Sequence, residues 1–332
     1  MNKITVIGGG AAGLMAAIAA AKNGAQVSLI EPNERLGKKI NITGKGRCNV
    51  TNDTDLEGLM AHIPRNGRFL YSALSHFTSR DTMAFFEGCG VPLKVERGDR
   101  VFPVSDSAFD ITDALKRQVK TLGVRWLHDR AASVETADGR VTAVTGEKGT
   151  YPAGAVIVAT GGMSYPGTGS TGDGYRIAAA LGHTIVEPRG SLVPLVSDDD
   201  CCRHMQGLSL KNVELTVYNG KNKPVFREFG EMLFTHFGVS GPLVLSASAH
   251  LRDWGKEQYR LSIDLKPALD QQKLEARILR DISESPNRDV EKLLCGLVPH
   301  SMAPVMTRRL GFPPTLKANS LTKEQRRGLV EL

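Results

Sequence analysis

A glycine-rich turn near the N-terminus carries the clearest chemistry in this chain of 332 residues. It has the pattern G-x-G-x-x-G and is formed by Gly8, Gly10, Ala11, Ala12 and Gly13, with a further glycine at position 9. In such a turn the first glycine permits a tight bend, the second lets the backbone approach a pyrophosphate, and the third lets a helix pack closely on a strand. The N-terminus of that helix offers N–H groups and partial positive charge to phosphates. The expected chemistry is dinucleotide binding.

Two strands and a helix are predicted around this turn. The β-branched run at residues 3–7 favours a strand, the alanine-rich run at 14–23 favours a helix, and residues 25–30 favour a second strand. Glu31 closes the second strand, 18 residues after Gly13, where its carboxylate can accept hydrogen bonds from ribose hydroxyls. A glycine pattern alone is weak evidence, but in this strand–turn–helix–strand context, with the acid in place, it strongly favours a dinucleotide site.

The loop after Glu31 is dense in glycine and positive charge. The segment with the most groups that could bind a ligand comprises Thr43, Gly44, Lys45, Gly46, Arg47, Cys48 and Asn49. The two glycines let backbone N–H groups crowd toward a ligand, while Lys45 and Arg47 can bind phosphate or polarise a carbonyl. Cys48 has no second cysteine near it in the sequence, as disulfide exchange would require, so we interpret it as a packing residue beside the ligand.

A second glycine turn follows a later strand. Residues 155–159 form a continuous apolar run of the kind found in buried parallel sheets. The run leads directly into Thr160, Gly161 and Gly162, which predicts that this segment passes close under a dinucleotide held by the first turn. The strand is expected in the same sheet as residues 3–7.

The rest of the chain predicts an α/β protein with further domains. Local patterns indicate helices in residues 56–87, a hairpin in 91–104, a helix in 108–122 and strands in 124–144. The pattern becomes strand-like near Pro188 and helical from residue 269. We therefore predict three domains, over residues 1–187 (ligand-binding), 188–267 (β-rich) and 268–332 (helical).

Composition limits the classes of function. The chain is 41% hydrophobic, and no stretch of about 18 apolar residues could span a membrane. Its formal net charge is +7, but aromatic residues make up only 6% and no run of Lys and Arg exceeds two. We therefore do not expect a nucleic-acid partner, and interpret the basic surface as one that attracts phosphate-bearing cofactors. The five cysteines form no C-x-x-C pattern, which favours reduced thiols and a cytoplasmic location, and no metal site is expected.

With these motifs, the chain resembles the BaiN/RdsA-like family of FAD-dependent oxidoreductases, which includes proteins called aminoacetone oxidases. The matching stretches run along the whole chain, at residues 7–13, 41–52 (NITGKGRCNVTN), 100–105 (RVFPVS), 159–174 (ATGGMSYPGTGSTGDG) and 233–242 (LFTHFGVSGP). The resemblance implies a glutathione-reductase-type, Rossmann-like FAD-binding domain, with an inserted β-barrel-like domain and a small helical domain.

By position, the resemblance also implies individual cofactor contacts. The first glycine turn and Glu31 would hold the ADP half of FAD. Lys38 and the loop of residues 43–49 would lie along the path from the pyrophosphate to the flavin, with residues 160–162 beneath it. The backbone at Ala131 would contact adenine.

The activity that the resemblance implies is hydride transfer through flavin N5. The expected substrate is a small organic molecule, either an amine oxidised with O₂ or an unsaturated carbonyl reduced by NAD(P)H. NAD(P)H is a candidate electron donor, although the chain has no second complete G-x-G-x-x-G. Arg47 and Lys45 are the best candidates for stabilising a reduced flavin or a substrate oxyanion, and no catalytic acid or base is identified.

Two other interpretations stay open. The net charge of +7 leaves room for an RNA-associated flavoprotein. Family members usually return to the FAD domain after the helical insert, whereas this sequence stops at Leu332, inside a predicted helix. The second interpretation is therefore a C-terminally short, non-catalytic nucleotide-binding fragment.

Overall fold

The computed structural model describes residues 2–252 and 255–332. The chain forms two compact units, of which the first ends at Pro188 and the second begins at Arg189. Within the described residues, no helix is long and apolar enough to cross a membrane.

The first unit contains both strands and helices. In chain order they are β1 Lys3–Ile7, α1 Ala11–Lys22, β2 Gln26–Ile30, β3 Thr51–Asn52, α2 Leu56–Ala61, α3 Gly67–His76, α4 Ser79–Gly88, β4 Leu93–Glu96, β5 Arg100–Pro103, α5 Ala108–Thr121, β6 Arg125–Leu127, β7 Ala131–Ala137, β8 Arg140–Gly146, β9 Thr150–Pro152, β10 Ala155–Val158 and α6 Asp173–Ala180. The helices, hairpin and strands predicted for this part of the chain are confirmed, with ends that shift by a few residues.

A parallel sheet of order β10-β1-β2-β6 forms the centre of the first unit. β1 lies between β2 and β10, and Ile7 pairs with Ile30 on one side and with Val158 on the other. The strand predicted at residues 155–159 is thus confirmed in the same sheet as β1. Because these strands are parallel, both glycine turns leave the sheet at its carboxyl-terminal edge, where open α/β sheets bind ligands.

Helix α1 packs on this sheet through small and aliphatic side chains. Gly13, Leu14 and Ile18 are buried at helical spacing, so one face of the helix covers the sheet. The helix begins at Ala11, three residues earlier than predicted, because Gly10 has the extended backbone of an N-cap and the alanines after it favour helix. The first turn of α1 therefore lies inside the glycine motif.

Two small antiparallel sheets, β3-β5-β4 and β7-β8-β9, also belong to the first unit. Asp138 and Gly139 form the turn between β7 and β8 with left-handed φ values of 52° and 73°, as a two-residue hairpin requires. Val6, Leu29 and Leu115 belong to a hydrophobic core that joins β1, β2, α1 and α5. This core holds in place the strands whose carboxyl-terminal ends lead into the glycine turns.

The second unit combines strands with helices. Its elements are β11 Leu195–Val196, α7 Cys201–His204, β12 Ser209–Tyr218, β13 Pro224–Thr235, β14 Gly238–Ser240, α8 Pro242–His250, β15 Arg260–Asp264, α9 Gln271–Glu284, α10 Val290–Leu294, α11 Ala303–Arg309 and α12 Lys323–Glu331. The strands form an antiparallel sheet of order β11-β14-β13-β12-β15. Leu215 of β12, Met232 of β13 and Ile278 of α9 share one hydrophobic core. The boundary predicted between residues 267 and 268 stays a prediction.

An ion pair beside α7 gives the second unit a pH-dependent contribution to stability. The carboxylate of Asp199 pairs with Arg309 at the end of α11 and accepts a hydrogen bond of 2.9 Å from the Cys201 backbone N–H. The backbone hydrogen bond, followed by that from Arg309, lowers the pKa of Asp199 to about 2.

Replacing Asp199 by asparagine is expected to lower the free energy of unfolding at neutral pH by about 1 kcal/mol, because both side chains of the pair are nearly half exposed and screened by water. The folded-state pKa lies below the unfolded value of about 3.9. The stabilisation is therefore present above that value and is lost as the pH falls toward 2. Urea unfolding of the two proteins across this range measures the effect; a stability difference that does not shrink at low pH contradicts it.

Candidate functional site

A cavity of about 620 Å³ lies in the first unit at the carboxyl-terminal edge of the parallel sheet. Most of the residues predicted to contact a cofactor line it: Gly8, Gly10, Ala11, Ala12, Glu31, Lys38, Thr43, Cys48, Asn49, Ala131, Thr160 and Gly161. The predicted residues that do not line it are Gly13, Gly44, Gly46, Arg47 and Gly162. The cavity has the size of pockets that enclose small molecules. It gathers segments from the start, middle and end of the first unit.

Backbone contacts that exclude side chains hold the first glycine turn. Gly8 has a φ of +106° and donates its N–H to the Ile30 carbonyl oxygen over 2.8 Å. A Cβ added to Gly8 would lie 2.4 Å from the Ala159 carbonyl oxygen, and one added to Gly13 would lie 1.8 Å from the Gly8 carbonyl oxygen. Gly13 therefore permits α1 to pack on the sheet, which is the function of the third glycine in such motifs.

Gly10 faces open space, unlike the other two glycines of the motif. Apart from its chain neighbours, no atom of the described residues lies within 4 Å of a Cβ built on Gly10. Gly10 is also the N-cap of α1, and no side chain in the described part of the chain caps that helix end. The first-turn N–H groups of α1 are thus available to an anion beside Gly10.

Backbone donors fix the carboxylate of Glu31 at the cavity wall. Its Oε2 accepts the Gly9 N–H at 2.7 Å, and its Oε1 accepts the backbone N–H and the side-chain amide of Asn33 at 2.8 and 2.7 Å. The residue is only 8% exposed. Because a carboxylate has about four acceptor positions, these three bonds leave room for one more, from a ribose hydroxyl.

The second glycine turn touches the first. Ala159 donates its N–H to the Ile7 carbonyl oxygen over 2.8 Å, which continues the pairing of β10 with β1. Thr160 and Gly161 line the cavity, whereas Gly162 does not. The segment after β10 therefore forms a wall of the cavity beside the first turn.

Two polar side chains join the loops that follow β2 and β10. Lys39 donates from Nζ to the Ser164 carbonyl oxygen at 2.8 Å and to Ser170 Oγ at 2.6 Å. Asn33 donates from Nδ2 to the Thr168 carbonyl oxygen at 3.3 Å. Both loops line the cavity, so these bonds connect two of its walls.

The predicted cofactor contacts leave out several residues that line the cavity, namely Asn33, Lys39, Arg130, Ser170 and Asp173. The density of charge and glycine marks the loop after β2 as functional, but it does not choose between adjacent lysines. Lys38 is exposed, with Nζ 3.5 Å from Asn33 Oδ1, whereas Lys39 makes the contacts to the opposite loop. Arg130 and Asp173 form an ion pair of 2.9 Å, which no local sequence pattern predicts because the two residues are far apart in the chain.

Acidic side chains hold Arg47 away from the cavity. Its guanidinium pairs with Glu96 at 2.9 Å and Asp106 at 3.2 Å, and lies 4.0 Å from the ring centre of Phe102. Lys94 completes the cluster at 2.7 Å from Asp106, and that hydrogen bond lowers the pKa of Asp106. Arg47 thus anchors its loop to the β4–β5 hairpin. This geometry gives no support to the predicted contact between Arg47 and a flavin.

Left-handed backbone shapes the rest of that loop. Gly44 and Gly46 have φ values of 55° and 83°, and a Cβ on Gly44 would lie 3.0 Å from Phe102. Cys48 is also left-handed, at 62°, and is 6% exposed at the cavity wall. Burial raises the pKa of its thiol, so Cys48 keeps its proton at neutral pH. Among the described residues no other cysteine lines the cavity.

One wall of the cavity is apolar. It is formed by Met15, Val50, Phe77, Phe86, Ile111 and Leu115. All but Phe77 belong to the hydrophobic core of the first unit. The cavity therefore offers polar groups around the first glycine turn and an apolar surface suited to a flat ring.

Family models match both units of the chain. The model described as the HI0933-like protein Rossmann domain matches residues 2–247, and that described as the HI0933-like protein barrel and H2TH domain matches residues 189–332. The chain belongs to the HI0933-like family. This result confirms the resemblance to the BaiN/RdsA-like FAD-dependent oxidoreductases.

Three relatives of this HI0933-like protein extend over most of its length. A 3-dehydro-bile acid delta(4,6)-reductase of Clostridium scindens is 29% identical over 99% of this chain and 80% of its own length. A ribosomal RNA dihydrouridine synthase of Haemophilus influenzae is 33% identical over 90% of this chain and 72% of its own length. The Escherichia coli protein of the same name is 31% identical over 98% and 78%, respectively.

As a member of the HI0933-like family, the protein is an FAD-dependent oxidoreductase with a Rossmann-like FAD-binding fold. The residues of its cavity fit that cofactor. The open space at Gly10 and the uncapped end of α1 suit a pyrophosphate, and the free acceptor position of Glu31 suits a ribose. The apolar wall provides the surface that an aromatic ring system requires.

Proposed function

We propose that this protein reduces a carbon–carbon double bond conjugated with a carbonyl group, using FAD in the cavity of the first unit and NAD(P)H as electron donor. The proposal rests on one observation, which is that the reactions named for its relatives reduce the same kind of double bond. A 3-dehydro-bile acid with delta-4,6 unsaturation has its double bonds in conjugation with a ketone. Dihydrouridine arises from uridine by reduction of a double bond conjugated with a ring carbonyl.

One reaction therefore accounts for both kinds of relative. A hydride adds to the carbon β to the carbonyl, and a proton from solvent adds to the α carbon, so the double bond becomes single. NAD(P)H loses the hydride and becomes NAD(P)⁺. The chemistry that bound FAD supplies between them is hydride transfer through N5. An apolar wall beside this position would exclude water from the transfer.

The chain's own residues would bind and orient the cofactor. We propose that Gly10 and the end of α1 receive the pyrophosphate, that Glu31 accepts a bond from the ribose, and that Lys39 contributes positive charge near the phosphates. The other predicted residues that line the cavity would complete the site, within an FAD domain of residues 1–187. The β-rich (188–267) and helical (268–332) parts are proposed as its inserts.

Anaerobic stopped-flow mixing tests the reaction. NADH or NADPH is expected to bleach the flavin absorbance of the purified protein, and cyclohex-2-enone is expected to restore it, because the enone accepts the hydride. Saturated cyclohexanone is the matched control and should leave the flavin reduced. Bleaching by a primary amine but not by NAD(P)H would instead identify an amine oxidase and contradict the proposal.

A second candidate substrate is a uridine within RNA. Two relatives named as ribosomal RNA dihydrouridine synthases and the net charge of +7 favour it, against the expectation from composition. With NADPH and a ribosomal RNA transcript, mass spectrometry would detect a uridine that gains two hydrogen atoms. Binding that weakens steeply with salt would accompany that gain, because phosphate contacts release counterions. Unchanged RNA together with rapid enone reduction would limit the activity to small molecules.

A further inference from the structure

The turn between β6 and β7 carries Arg130 and Ala131 into the cavity wall, whereas its neighbour Asp129 does not line the cavity. Asp129 is only 2% exposed. We infer that Asp129 is a positioning residue that sets the adenine end of the FAD site through the backbone at Ala131. The inference rests on the proposed function, since it takes FAD as the ligand of this cavity and Ala131, which lines it, as the predicted adenine contact.

The carboxylate of Asp129 joins two separate segments of backbone. It accepts the Arg130 N–H at 2.7 Å within its own turn. From the β8–β9 hairpin it accepts the Lys148 N–H at 3.1 Å to each oxygen and the Tyr151 hydroxyl at 2.7 Å. The hairpin returns a bond of 3.0 Å, from the Glu147 N–H to the Arg130 carbonyl oxygen. The turn and the hairpin are thus held as one piece.

The carboxylate fits tightly into that hairpin. A Cβ added to Gly146, which pairs with Ala131 in the β7–β8 ladder, would lie 2.1 Å from Asp129 Oδ2. Burial alone would raise the pKa of Asp129, but the hydrogen bonds from Tyr151 and the backbone outweigh it and hold the pKa below its ordinary value. Asp129 is therefore ionised at neutral pH, the form that accepts all of these bonds.

Hydrogen bonds also tie this turn to Glu31, the residue proposed to contact the ribose, and an ion pair ties it to α6. The Leu127 carbonyl oxygen accepts the N–H of Asp129 at 2.9 Å and the N–H of Glu31 at 3.0 Å. On the other side, Arg130 pairs with Asp173 at 2.9 Å. The backbone at Ala131 is thus fixed relative to the Glu31 carboxylate.

A fixed backbone at Ala131 favours adenine binding for a physical reason. Adenine carries an amino donor and ring-nitrogen acceptors that match backbone C=O and N–H groups. If the turn is already ordered, the ligand does not have to order it on binding, and the affinity is higher. Loosening the turn should therefore lower the affinity for ligands that contain adenosine and leave the affinity for other ligands unchanged.

Two substitutions loosen the turn to different degrees. Tyr151→Phe removes one hydrogen bond and keeps the ring, and is expected to raise the Kd for FAD about fivefold. Asp129→Asn removes the charge and turns an amide group toward backbone donors, with an expected rise of about tenfold or more. Glu135→Gln is the matched control, because Glu135 of β7 accepts a hydroxyl bond from Thr145 of β8 in the same small sheet, away from the cavity.

Isothermal titration with FAD, ADP and FMN separates positioning from a general loss of structure. The inference requires that each variant raises its Kd for FAD and its Kd for ADP by the same factor. The Kd for FMN, which lacks the adenosine, should stay within about twofold of the wild-type value, and Glu135→Gln should change none of the three. Equal weakening of FAD and FMN, or unchanged FAD binding by Tyr151→Phe, overturns it. If Asp129→Asn does not fold, Tyr151→Phe decides alone. Wild-type protein that binds no FAD would refute the proposed function instead.

Discussion

Gly10→Val is expected to leave the first unit folded and to abolish FAD binding. Apart from its chain neighbours, no atom of the described residues lies within 4 Å of a Cβ at Gly10, so the fold leaves space for a side chain there. The backbone of Gly10, with φ −80° and ψ −170°, also suits any residue. That open space is where a pyrophosphate must approach the uncapped end of α1. The valine side chain is therefore expected to block FAD binding and to leave the fold intact.

The loss should be at least about 100-fold in Kd, because two or more charge-assisted hydrogen bonds to phosphate would be displaced. The absorbance spectrum of the purified protein and titration with FAD measure it. Gly88→Val is the matched control: Gly88 ends α4, lies outside the cavity and also faces open space. An FAD-loaded, yellow Gly10→Val protein would move the pyrophosphate away from the glycine turn and would remove the basis of the proposed site.

The parts of the site that depend on local physics are the parts that the sequence predicts. The turn at residues 8–13 requires glycine for reasons that act within the turn and its adjoining helix and strand. The segment at Thr160 is predicted because an apolar run of this length belongs in a parallel sheet, and the structure pairs it with β1. In both cases the nearest neighbours along the chain determine the outcome.

Side chains whose partners lie far along the chain behave differently. Arg47 stands in a loop rich in glycine and cations, which has the same sequence whether the guanidinium contacts a phosphate or an acid. Its position is decided by Glu96 and Asp106, which follow it by 49 and 59 residues. Lys39 is likewise distinguished from Lys38 only by the loop it reaches, more than 120 residues later. No period or motif encodes such a pairing.

Asp129 illustrates the same limit for a buried charge. In the sequence it is an acid between a histidine and an arginine, which resembles a solvated turn. Its burial follows from the fold, because the β8–β9 hairpin brings the Lys148 N–H and the Tyr151 hydroxyl to its carboxylate. Buried carboxylates are retained where they are fully hydrogen-bonded, and that condition can be read only from the assembled structure.

Gly13→Ala is expected to destabilise the first unit by about 3 kcal/mol, although alanine favours a helix interior over glycine by about 1 kcal/mol. The reason is steric, because the new Cβ would lie 1.8 Å from the Gly8 carbonyl oxygen. Gly8 cannot withdraw, since its N–H is bonded to Ile30 and the Ala159 carbonyl oxygen lies against its other side. Helix α1 would have to move off the sheet and expose the face that contains Leu14.

Urea unfolding of the FAD-free protein measures the loss in free energy of unfolding. Hydrogen exchange of the α1 amides shows whether the helix has come off the sheet. Gly10→Ala is the matched comparison, because it makes the same substitution three residues earlier in the same motif, at a position with open space. It should change the free energy of unfolding by less than about 0.5 kcal/mol. The two substitutions thus separate the glycine that accommodates the helix from the glycine that admits the ligand. A Gly13→Ala protein as stable as wild type would mean that helix propensity outweighs the contact between α1 and Gly8, and that the close packing of this turn does not hold the helix to the sheet.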